Sequence, residues 1–98
     1  MSNNLTVLVR YQTQPGKGEA ALTALKELLK KVRQEPNYIS IDVCISSTSS
    51  NEILLIEKWS DSEYYKGNHM QTEHLQQFIR SSREFLAGPP DISFWEEA

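Results

Sequence analysis

The period of the apolar residues changes along this chain, and that change limits what it can fold into. Leu5, Val7, Val9 and Tyr11 recur at every second position within residues 4–12, the spacing of a strand with one buried face. Pro15-Gly16-Lys17-Gly18 breaks that run. From Glu19 to Arg33 the spacing becomes helical: Ala21, Leu25, Leu28 and Val32 form one stripe, widened by Leu22 and Leu29. Pro36 stops the helix. Ile39, Ile41, Val43 and Ile45 then alternate with Ser40, Asp42, Cys44 and Ser46, as in a half-buried strand. Residues 46–51, rich in serine, read as a polar hairpin loop. Glu52 to Trp59 reads as a third strand, apolar on both faces at its start.

Ser60-Asp61-Ser62-Glu63 predicts a capping box, with Ser60 accepting from the helix amides, and a short helix through about Asn68. A second helical stretch from about Thr72 carries Leu75, Phe78, Ile79 and Leu86, closed by Gly88-Pro89-Pro90. Ile92-Ser93-Phe94-Trp95 completes the pattern as a last strand.

The predicted order is β-α-β-β-α-α-β, which fits a ferredoxin-like α+β sandwich with helices on one face of a four-stranded antiparallel sheet. With 98 residues and 39% of them hydrophobic, one core is affordable and two are not, so residues 1–98 are expected to form one domain. The first and third strands are central in this topology, and both carry apolar residues on their second face: Leu8, Leu54 and Ile56. No element is left to cover them, so a homodimer joined through the sheet face is expected.

Charge and composition narrow the function. Thirteen acidic residues against ten basic ones argue against a nucleic-acid partner, which calls for a basic stripe. The basic cluster Lys30, Lys31 and Arg33 sits where a helix C-terminus favours cations. No apolar run reaches the roughly 20 residues of a spanning helix, and no basic region precedes the first apolar stretch. A soluble cytoplasmic protein, without membrane contact, is the expectation. Cys44 alone can form neither an intrachain disulfide nor a zinc site, and no cation adjoins it in sequence to make it reactive.

Phosphate loops and metal-ligand spacings are absent; the residues that could carry chemistry gather late in the chain. Glu57 and Trp59 share a strand face with Ile53 and Leu55. A carboxylate there needs a partner, with Arg10 a candidate across the sheet, or a purpose. Trp59 is either core or the wall of a ligand cavity. His69 falls at the junction of the two helical stretches, where a neutral imidazole could be a general base or a mere cap. His74 reads as structural, and with His69 lacks a third ligand for a metal. Tyr64 and Tyr65 face different directions, one toward the core. Arg80 follows Ile79 at the edge of the buried stripe, and a surface position suits it.

Ile56-Glu57-Lys58-Trp59, the capped helix with Tyr64-Tyr65, His69, then His74-Leu75 and Phe78 together resemble the signature of the antibiotic biosynthesis monooxygenase (ABM) domain family. The resemblance spans nearly the whole chain. It implies a dimeric α+β barrel of two ferredoxin-like sheets back to back. It also implies oxidation of phenols, quinols or anthrones by O2 without flavin, metal or other prosthetic group. By the same resemblance, Trp59 and Tyr65 contact the aromatic substrate, with Arg80 as a further binding candidate; the sequence adds His74 as a binding candidate and His69, or else Glu57, as the catalytic base. An asparagine near the end of the third strand, present in some oxygenating relatives, is missing between Ile53 and Glu57.

Other readings stay open at this point. A haem-degrading branch of this fold uses an Asn, a Trp and a His, for which Asn4, Trp59 and His69 are a poor match because Asn4 precedes the strand core. A small-metabolite isomerase, or a non-catalytic module binding an aromatic ligand beside Trp59 and the tyrosines, fits the same fold.

Overall fold

In the computed structural model, which describes residues 4–98, the strands are β1 (Leu5–Gln12), β2 (Tyr38–Ile45), β3 (Glu52–Trp59) and β4 (Asp91–Trp95). The helices are α1 (Gly18–Val32), α2 (Ser62–Lys66) and α3 (Glu73–Ser81). A 3₁₀ turn, His69–Gln71, joins α2 to α3, and another, Ser82–Glu84, follows α3. The sheet order is β2-β3-β1-β4 with every neighbouring pair antiparallel, so the two strands with apolar residues on both faces are central. This is a ferredoxin-like α+β architecture.

Strand parity decides what is inside. Leu5, Val7, Val9 and Tyr11 lie opposite Trp59, Glu57, Leu55 and Ile53, and all eight are buried beneath the helices. Ala21, Leu25, Leu28, Leu29 and Val32 of α1 close the same core. Each buried Val, Leu or Ile among them contributes about 1.5–3 kcal/mol when removed from water, which fixes the register against a one-residue slip. The start of α1 lies against the β2–β3 loop: a Cβ at Gly18 would come within 2.8 Å of the Ser50 carbonyl oxygen, so only glycine fits.

Several local expectations need correction. The α2 cap is Asp61, not Ser60: its carboxylate accepts from the amides of Glu63 and Tyr64, while the Ser60 hydroxyl donates to Asn37. The second helical stretch ends at Ser81, well before Gly88. Ser81 and Ser82 turn their hydroxyls back onto the Phe78 and Ile79 carbonyls, and the chain tightens into a 3₁₀ turn. Leu86 is buried through a bridge to Thr13, outside any helix, and Ile79 is exposed. In β2 a register shift between Tyr38 and Ser40 breaks the expected apolar row. Tyr38 packs edge-on against Trp59 and Ile41 is buried, but Ile39 and Ile45 are exposed. Among the described residues, no helix is long and apolar enough to cross a membrane.

Candidate active site

Between the helices and the inner sheet face lies a cavity of about 400 Å³. Its floor is Val9, Tyr11, Ile41, Leu55 and Glu57 of the sheet, and its walls come from α1, α2, the 3₁₀ turn and α3. The lining is mostly apolar. Polar groups enter at Tyr11, Glu57, Tyr65 and His69, and at Ser82 and Arg83 beside the Gly88-Pro89-Pro90 segment. A space of this size and character suits a small, mostly apolar ligand.

Glu57 sits between Val7 of β1 and Ile41 of β2, both buried and apolar. The Trp59 indole N–H donates to its Oε1 at 2.9 Å. Burial penalises the carboxylate more than that hydrogen bond and the nearby Glu35 charge alter it, and the net effect pushes the Glu57 pKa up to about 7. Glu57 therefore exchanges a proton near neutrality. The suggested partner Arg10 is not available to it. Arg10 points to the opposite sheet face and pairs with Glu52 at 2.8 Å.

His69 enters through the 3₁₀ turn. Its ring stacks on Tyr65 (centroids 4.8 Å apart, planes at 24°) and lies 4.6 Å from the Trp59 ring. Its Nδ1 is 2.9 Å from Oε1 of Glu35, a carboxylate only 5% exposed in the turn after α1. Tyr64 donates its hydroxyl to the same oxygen at 2.9 Å, and His74 Nε2 lies 2.6 Å from Oε2. Burial and the Glu35 carboxylate push the Tyr64 phenol up to about 12. Burial, reinforced by the Glu57 charge, raises the phenols of Tyr11 and Tyr65 further, so both remain hydrogen-bond donors.

The sequence candidates are thus sorted by the tertiary structure. His69, Glu57 and Tyr65 face one cavity. Trp59 is outside the lining: it is 0% exposed, lies beneath the site and donates its indole N–H to Glu57. His74 lies off the cavity, bound to Glu35. Arg80, within α3, is exposed and away from the lining, as a surface position requires, and Arg83 reaches the lining from the 3₁₀ turn after α3. Glu35 and Tyr11 were not singled out by sequence reasoning. Glu35 carries no local signal, since its partners are 29, 34 and 39 residues away. Among the described residues, no group of three or more His, Cys, Asp or Glu side chains could hold a metal ion.

Residues 4–81 match the family model described as antibiotic biosynthesis monooxygenase. The chain is similar to a Bacillus subtilis protein named "Putative monooxygenase YcnE", with 29% identity over 89 residues, or 90% of this chain and 93% of that protein. It superposes on PA3566 from Pseudomonas aeruginosa with a TM-score of 0.89 and 26% identity, over 100% of this chain and 97% of the other. A Nitrosomonas europaea structure described as a "putative antibiotic biosynthesis monooxygenase" gives a TM-score of 0.90 at 16% identity, covering 99% and 92%, a likeness of fold.

Proposed function

Since the chain belongs to the antibiotic biosynthesis monooxygenase family, we propose that it is a monooxygenase oxidising a phenolic, quinol or anthrone-type aromatic with O2 and no prosthetic group. The observation that carries this reading is an imidazole, His69, and a carboxyl that titrates near neutrality, Glu57, facing one apolar cavity. A cavity with these two groups can bind an aromatic, take a proton from it and exclude bulk water.

His69 removes a proton from an activated C–H or phenol of the substrate, leaving an electron-rich carbanion or phenolate. That anion passes one electron to O2, and the resulting radical pair combines to form a C–O bond. The peroxide anion regains a proton from the His69 imidazolium. Its O–O bond then breaks as Glu57 takes the second proton from the same carbon and passes it to the departing hydroxide, giving C=O and water. The substrate loses four electrons and O2 gains four, so no outside reductant is required. Tyr11 and Tyr65, held protonated, donate hydrogen bonds to oxygen atoms of the bound aromatic.

The second sheet face supports a homodimer in the same reading. Leu8 lies directly opposite Ile56, Leu54 is beside them, and Trp95 on the neighbouring strand is 55% exposed. A second sheet packed on this face would cover all four.

Oxygen uptake in chelator-treated buffer over hydroquinones, naphthols and anthrones tests the activity. Uptake should exceed autoxidation in the wild type and fall about 10²- to 10⁴-fold in His69→Ala, the usual weight of a general base. Uptake that survives in His69→Ala and disappears in Glu57→Gln would move the base to Glu57. No uptake on any substrate, with tight binding of an aromatic, would replace the enzyme by a binding module.

A further inference from the structure

We propose that Glu35 is the positioning residue of the site: its carboxylate holds His69 in the tautomer that presents a bare Nε2 to the cavity. The inference rests on the base role of His69 proposed above, but it makes a claim about the protein that can be read without turnover.

The geometry that carries it is a convergence of three donors on one buried carboxylate. Tyr64 Oη and His69 Nδ1 meet Oε1, each at 2.9 Å, and His74 Nε2 meets Oε2 at 2.6 Å. An ionised carboxylate can only accept, so each of the three partners must carry a hydrogen toward it. His69 is therefore protonated at Nδ1 and His74 at Nε2, opposite tautomers imposed by one residue. With Nδ1 committed, the lone pair of neutral His69 lies on Nε2, at the far edge of a ring that lines the cavity. No hydrogen bond to His69 Nε2 occurs within the described residues. The ring cannot swing away, because it is stacked on Tyr65 and flanked by Trp59. Glu35 in turn cannot leave, because Tyr64 on α2 and His74 on α3 hold it from two elements. A carboxylate behind an imidazole serves a base by fixing tautomer and orientation and by stabilising the imidazolium once it forms.

Long-range ¹H–¹⁵N spectra of the full chain carrying ¹⁵N-histidine, at mildly alkaline pH, read the tautomers directly. His69 should show the Nδ1–H pattern and His74 the Nε2–H pattern. Glu35→Gln offers one carbonyl acceptor and an NH2 donor in place of two acceptor oxygens, so at least one of the two histidines should change tautomer. His69 found as Nε2–H in the wild type, or both histidines unchanged in a folded Glu35→Gln, would overturn the assignment. If that variant does not fold, the wild-type spectrum decides alone. Expected tautomers in a protein that consumes no oxygen would uphold Glu35 and sink the oxidation, so the two failures are separable.

Discussion

At the scale of single residues, the site depends on a carboxyl placed where water cannot solvate it. Glu57 has a folded pKa of about 7 against an ordinary 4.5. Between those values the unfolded chain has released the proton and the folded chain retains it, so stability falls as pH rises through the window and levels off above it. The shift corresponds to a loss on the order of 3 kcal/mol. Urea denaturation at a series of pH values should show that slope in the wild type and lose it in Glu57→Gln, whose amide oxygen can still accept from Trp59. Trp59→Phe should cost about 2–4 kcal/mol, since it removes that hydrogen bond and opens space in a fully buried site. Because Trp59 does not line the cavity, KM for an aromatic substrate should change little in this variant, a comparison of steady-state kinetics. Glu57 was legible from sequence as a carboxylate on an apolar strand face. The parity that excludes Arg10 was also present, since Arg10 shares a face with Leu8 rather than with Val9.

At the scale of elements, α2 has five residues and carries two of the tyrosines that build the site. So short a helix depends on its cap and its packing, because nucleation alone is unfavourable. Asp61→Ala should therefore cost about 1 kcal/mol in denaturant midpoint measurements. Ser60→Ala should cost less, since its hydroxyl reaches only the exposed Asn37 contact. The first helix was readable to within a residue because its stripe is continuous and long. The end of α3 was not, because Gly88-Pro89-Pro90 is a conspicuous stop that the chain never needs. Ser81 and Ser82 instead capture the carbonyls three residues before them, and Arg83 lines the cavity from the 3₁₀ turn that follows.

At the scale of the whole molecule, the sheet has one face under helices and one face with Leu8, Leu54, Ile56 and Trp95 on it. Sedimentation velocity at micromolar concentration should give twice the 11.2 kDa of one chain. Leu54→Arg should reduce it to one, by setting like charges against each other across an apolar contact; a wild-type monomer would remove the proposed dimer. What the sequence by itself determined were the quantities that strand and helix periodicity encode: the element order, the buried row Leu5, Val7, Val9 and Tyr11, the α1 stripe, and the apolar second face. Each of these depends on neighbours within a few positions, where the repeat of the backbone converts spacing into direction. Only the tertiary structure decided that Trp59 supports the cavity instead of lining it, that β2 shifts register at Tyr38, and that Glu35 joins Tyr64, His69 and His74. The last two depend on side chains that meet across 20 to 40 positions of chain. Close packing and the need to satisfy every buried donor select such meetings, and no local pattern carries that information.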